Sequence, residues 1–151
     1  MTRWLTQDEQ RAWRAFLTAR TLLDSALDAQ LQRDADMPHG YYEVLVRLSE
    51  APARTLRMSE LATATQSSRS RLSHAVAKLE QRGWVARRTL ETDKRGQLAT
   101  LTEQGAEVLR AAAPGHVEAV RRSLFDALTP AQVRQLRTIG EAVAAHLGAD
   151  A

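Results

Sequence analysis

Hydrophobic residues return at helical spacing along the first third of the chain. Behind a Thr6-Gln7-Asp8-Glu9 capping box, Trp13, Phe16, Leu17, Leu23, Leu27 and Leu31 recur every three to six residues. That spacing predicts one long amphipathic helix ending near Asp34. Met37-Pro38-His39-Gly40 interrupts it, and Tyr41, Val44, Leu45 and Leu48 then follow the i, i+3, i+4, i+7 pattern of a second helix with a buried stripe. Leu56-Arg57-Met58 predicts a single edge strand, and Ser59 is expected to cap a short helix with Leu61, Ala62 and Ala64 inward. Thr65-Gln66-Ser67-Ser68 supplies a turn and a fresh N-cap. The next helix should run to Gln81 or Arg82, burying Leu72, Ala75, Val76 and Leu79, with Gly83 as its left-handed C-cap. Two helices joined by so short a turn predict a helix-turn-helix.

Two runs rich in aliphatic, Thr and Trp residues follow, Trp84–Leu90 and Gln97–Leu101, separated by the polar stretch Glu91–Gly96. This predicts a β-hairpin, and a hairpin directly after a helix-turn-helix is a wing. Thr102-Glu103 opens another helix, in which Pro114-Gly115 is expected to cause a kink or a break. Thr129-Pro130-Ala131-Gln132 starts a last helix carrying Val133, Leu136, Ile139, Val143 and Leu147 on one face. The expected fold is mainly α with a small β wing, in a single domain. A winged helix-turn-helix lobe spans 53–102, a connecting helix 37–52, and a helical region is built from 1–36 and 103–151.

Charge sharpens the picture. Between Ser67 and Gln97 there are eight Lys or Arg against three acids, more positive than the whole chain at +3. The basic residues are almost all Arg, so the high overall isoelectric point carries less weight than this clustering, which makes nucleic acid the first partner to consider. With no Cys in 151 residues, disulfides and thiolate metal sites are excluded. The four His have no metal-ligand spacing, and no nucleophile elbow or phosphate loop is present, so neither an enzyme nor a cofactor is expected. No uncharged apolar run approaches the roughly 18 residues of a membrane span. A cytoplasmic location is expected.

The chain resembles the MarR family of bacterial winged-helix transcriptional regulators over essentially its whole length. The carriers are Ser59-Glu60-Leu61-Ala62, then Leu79-Glu80 with Gly83-Trp84-Val85, then Asp93 with Arg95-Gly96, and finally Leu101-Thr102 with Gly105. The resemblance implies a homodimer held by the first and last helices, reading a pseudo-palindromic operator, with repression as the default action. It also implies a small phenolic or anionic aromatic effector between the helical region and the DNA-binding lobe. The Ser- and Arg-rich recognition helix departs from the family, so the operator does not carry over.

On this reading the recognition helix, about 67–82, enters the major groove and the wing, 91–96, the minor groove. With Leu72, Val76 and Leu79 inward, Ser68, Arg69, Ser70, Arg71, Ser73, His74 and Lys78 fall on the outer faces. Arg can bridge guanine O6 and N7, and Ser can donate to phosphates or base edges. Lys78 and Arg82, farther along, are expected to meet the phosphate backbone. Wing residues Asp93, Lys94 and Arg95 complete the expected DNA site. The resemblance gives Arg95 the minor groove and Asp93 the role of fixing the loop. The competing reading is a solvated charged hairpin, or a winged helix used for protein or RNA contact. For the effector, the candidates are Trp13, His39 and Tyr42. Against them, aromatic residues at helical spacing are usually core, and a His before a helix is often a turn residue.

Overall fold

The computed structural model describes residues 1–93 and 95–148. In chain order it has helix α1 (Gln7–Ala35), α2 (His39–Glu50), strand β1 (Thr55–Arg57), α3 (Met58–Ala64), α4 (Arg69–Gln81), β2 (Val85–Thr89), β3 (Gln97–Leu101), α5 (Glu103–Ser123) and α6 (Pro130–His146). The chain divides into two compact units, one of Leu27–His116 and one of Met1–Ala26 with Val117–Ala151.

The core of the first unit is aliphatic. Leu31, Met37, Leu45, Leu48, Leu61, Val76 and Leu79 are fully buried, and Leu72, Val85, Ala99 and Leu101 join them. Each such side chain contributes about 1.5–3 kcal/mol on leaving water. The three strands form an antiparallel sheet in the order β1-β3-β2. Val85 opposes Leu101 and Thr89 opposes Gln97 across the hairpin, while Thr55 opposes Thr100 on the other side. Their hydroxyls lie 2.8 Å apart. Alternation along β3 turns Ala99 and Leu101 into the core and Leu98 and Thr100 to the other face, while Gln97, at the wing end of the core-side face, is exposed.

The ends of α4 are fixed by local chemistry. Ser68 Oγ accepts from the Arg71 amide at 3.2 Å, an N-cap bond that offsets one of the unpaired donors of the first turn. At the other end Gly83 takes φ +76. Its N–H donates to the Glu80 carbonyl while that of Trp84 donates to Leu79, both at 3.0 Å, which is a Schellman closure. Thr102 then joins this corner to α5, donating from Oγ1 to the Gly83 carbonyl at 2.7 Å and accepting from the Gly105 amide at 3.0 Å.

Three local expectations are corrected. Helix α3 starts at Met58, not after a Ser59 cap, because the Glu60 carboxylate accepts from the Arg57 amide at 2.9 Å and closes the first turn there. In α2 Val44, Leu45 and Leu48 are buried as expected, but the buried tyrosine is Tyr42, and Tyr41 is only half-buried against the core. Helix α5 is not broken at Pro114. Pro114 and Arg110 are both exposed, so water can take the carbonyl bond that the missing proline N–H leaves open.

In the second unit Ala119 is the one buried residue among those described, while Trp13, Phe16, Leu22, Val117, Leu136, Ile139 and Val143 are 41–66% exposed. Helix α6 is nevertheless well started. Gln132 Oε1 accepts from the Thr129 amide at 2.8 Å, and Thr129 Oγ1 accepts from the Gln132 amide at 3.2 Å. Among the described residues no helix is long and apolar enough to cross a membrane.

Candidate nucleic-acid interface

Burying Leu72, Val76 and Leu79 forces the rest of α4 outward. Ser68, Arg69, Ser70, Arg71, Ser73, His74 and Lys78 are all exposed. Among the described residues no ion pair or side-chain hydrogen bond engages the guanidinium of Arg69 or Arg71 or the ammonium of Lys78. These cations are available to a ligand, and the amides of the first turn add partial positive charge.

The wing tip is organised by Asp93. Its Oδ1 accepts from the Arg95 amide at 3.0 Å and its carbonyl accepts from the Gly96 amide at 2.9 Å. This tight turn carries the exposed Arg95 side chain at its tip, and Lys94 lies outside the described residues. Between the wing and α4 runs a groove of about 360 Å³ lined by Arg57, Ser59, Arg69, Ser73, Asp93 and Arg95. It brings the predicted Arg69, Ser73, Asp93 and Arg95 to one place, while Ser68, Ser70, Arg71, His74 and Lys78 lie outside its lining. Arg57 was missed because it sits in a three-residue strand whose edge position gives no charge pattern to read.

Not every cation of the basic stretch is available. Arg87 pairs with Glu80 at 3.2 Å, and its amide donates to the same carboxylate at 3.1 Å, tying β2 to α4. Arg82, expected on the phosphate backbone, instead donates from Nη1 to the Asp36 carbonyl at 2.6 Å. Its guanidinium carbon lies 4.9 Å from the Trp84 ring centre and 5.8 Å from that of Tyr41. A planar cation between two ring faces is the arrangement that cation–π attraction favours.

The effector candidates separate. Trp13 belongs to the second unit, exposed beside Phe16 with ring centres 6.3 Å apart. His39 and Tyr42 come together in the first unit around His116, whose ring centre is 5.5 Å from His39 and 4.3 Å from Tyr42. His116 is buried, and its Nδ1 lies 3.0 Å from Gln30 Oε1. The Gln30 amide nitrogen donates to Asp34, which turns the amide oxygen toward His116 and makes Nδ1 the protonated nitrogen. The His39 amide donates to Asp28 at 2.9 Å. Neither Gln30 nor His116 stood out in the sequence, since they are 86 positions apart. Among the described residues no group of three or more His, Cys, Asp or Glu is placed to hold a metal.

Burial, and secondarily the neighbouring His39, holds the His116 pKa below the ordinary 6.5. The unfolded chain therefore binds this proton more readily than the folded one. The stability His116 contributes is complete above about pH 6.5 and is lost as pH falls from there toward the depressed folded value. Denaturation midpoints should drop between pH 7.5 and pH 5.5, and His116→Gln should flatten that drop. Equal slopes for both proteins would show that His116 titrates normally.

Comparison with known proteins now decides the family. A family model described as MarR family matches residues 35–96. Sco3205, a MarR family transcriptional regulator from Streptomyces coelicolor solved in complex with DNA, is 57% identical, with a TM-score of 0.94, 98% of this chain covered and 92% of that one. The chain belongs to the MarR family. AbsC, a second MarR family regulator from Streptomyces coelicolor, is 44% identical with a TM-score of 0.89, covering 97% of this chain and 98% of its own. The transcriptional repressor MprA of Escherichia coli is 33% identical over 98 residues, 65% of this chain; the match spans about half, 55%, of that curated relative's length. As a MarR-family transcriptional regulator, the chain has the expected architecture, a winged helix built mainly of α-helix with a small three-stranded sheet.

Proposed function

We propose that this MarR-family protein is a cytoplasmic, sequence-specific repressor that binds a pseudo-palindromic operator as a homodimer. The observation that carries the reading is the set of exposed cations on α4 and the wing, of which Arg69 and Arg95 face one groove. Arg69, Arg71, Ser73 and His74 meet base edges in the major groove, while Ser68, Ser70 and Lys78 hold the backbone. Arg95, steadied by Asp93 and flanked by Lys94, reaches the minor groove, where negative potential is concentrated. Sco3205, 57% identical and solved in complex with DNA, supports DNA as the partner.

The exposed apolar side chains along α1 and α6 suit coverage by a second copy, since so many large apolar side chains are seldom left in water together. Two copies related by a two-fold axis would set their recognition helices about one DNA turn, roughly 10 bp, apart. A phenolic or anionic aromatic effector would be met by His39, Tyr42 and His116, which offer ring faces and, at His116 Nε2, an acceptor for a hydroxyl.

Footprinting of the DNA upstream of the protein's own gene tests the reading. Two protected half-sites about one turn apart are expected. Absence of protection on any upstream fragment, with binding to RNA or to a protein instead, would favour a winged-helix interaction module. Arg95→Ala should weaken operator binding and lower the slope of log affinity against log salt by about 0.9, the share of one neutralised phosphate. An unchanged affinity across salt concentrations removes Arg95 from the interface.

A further inference from the structure

Arg82 sits in the basic stretch, yet unlike Arg69, Arg71 and Lys78 its guanidinium is engaged by the protein. Its Nη1 reaches back 46 positions to the Asp36 carbonyl at 2.6 Å, and its guanidinium is held between the rings of Trp84 and Tyr41. Asp36 forms the turn between α1 and α2 and takes φ +48, a left-handed conformation that a non-glycine residue holds only when its surroundings fix it. Arg82 is itself the C-cap of α4. One side chain thus joins the end of the recognition helix to the turn that leads into Met37, His39 and Tyr42.

We infer that Arg82 is a positioning residue for operator binding, setting the recognition helix against the α1–α2 turn through the Asp36 carbonyl and the Tyr41 and Trp84 rings rather than by touching DNA. This rests on the DNA-binding reading above. The chemistry requires arginine. A guanidinium can donate in its plane to a carbonyl while both faces lie against rings, whereas a lysine ammonium keeps the charge but has neither fork nor face. A phosphate contact has the opposite requirement, since charge alone suffices there.

The test compares wild type, Arg82→Lys and Tyr41→Leu as full-length chains. In the free proteins, amide hydrogen exchange should quicken in Arg82→Lys both at Met37 and His39, whose amides donate to the Leu31 carbonyl and the Asp28 carboxylate, and in the last turn of α4. On the operator, Arg82→Lys should lose about tenfold in affinity, within the range for residues that act through a packed network, with the salt slope unchanged. Tyr41→Leu should lose less, and should add little in the Arg82→Lys background because both act on one contact. Wild-type affinity in Arg82→Lys, or a slope reduced by about 0.9 in Arg82→Ala and restored by lysine, would make Arg82 a phosphate contact and overturn the inference. Unchanged exchange at Met37 and His39 would overturn it too. Because exchange is read without DNA, a wild-type protein that bound no operator would sink the functional reading while the exchange result still decided the contact.

Discussion

Gly105→Ala should destabilise the folded chain by about 3 kcal/mol, the upper part of the usual range for forcing an extra methyl into a packed site. A Cβ at this position would lie 2.1 Å from the Trp84 carbonyl oxygen, 2.9 Å from the Trp84 carbonyl carbon and 2.7 Å from a Leu101 methyl. The two Trp84 atoms are backbone, and that backbone is fixed twice. The Trp84 amide donates to Leu79, and its carbonyl accepts from the Thr102 amide, both at 3.0 Å. Helix propensity pulls the other way, since alanine is favoured over glycine within a helix by only about 1 kcal/mol. Steric exclusion wins. Gly40→Ala is the control, because nothing lies within 4 Å of a Cβ there, and it should be neutral or slightly stabilising. Urea denaturation of the three proteins reads the difference directly. A Gly105→Ala variant as stable as Gly40→Ala would mean that the first turn of α5 does not pass this close to the Gly83–Trp84 corner.

That corner also shows what could be read from the chain and what could not. Gly83, Ser68 and Thr129 announce helix ends through the chemistry of their own few neighbours, so both bounds of α4 and the start of α6 were legible in advance. The hairpin was legible for the same reason, with a polar six-residue tip between two strand-like runs. Gly105 belonged to a recognisable motif, but its reason, the Trp84 carbonyl, lies across a corner that periodicity does not describe. Arg82 is the sharper case. By position and charge it looked like one more backbone contact, and only the fold brings Asp36, Tyr41 and Trp84 around it. The pairing of His116 with Gln30 was hidden in the same way. The burial of Tyr42 rather than Tyr41 in α2 has a simpler cause. Tyr41 and Tyr42 are chemically alike, and the aliphatic residues near them are satisfied with either tyrosine inward.

The distinction between tied and untied cations leads to the sharpest test of base recognition, Arg71→Ala. Arg71 is exposed on the first turn of α4, which Ser68 caps, and no protein group engages its guanidinium. It therefore reaches DNA without first breaking an internal contact, unlike Arg87, whose pairing with Glu80 would have to be given up. A bidentate arginine–guanine contact carries about 1–3 kcal/mol of discrimination against the wrong base. Arg71→Ala should accordingly lose roughly ten- to a hundredfold on the preferred operator. It should lose far less on operators already substituted at the base pair it reads. Affinities of wild type and Arg71→Ala on a panel of single-base operator variants make this a double-mutant cycle, with coupling confined to one position in each half-site. An equal loss on every variant, accompanied by a shallower salt slope, would place Arg71 on a phosphate and leave base reading to Arg69, Ser73 and His74.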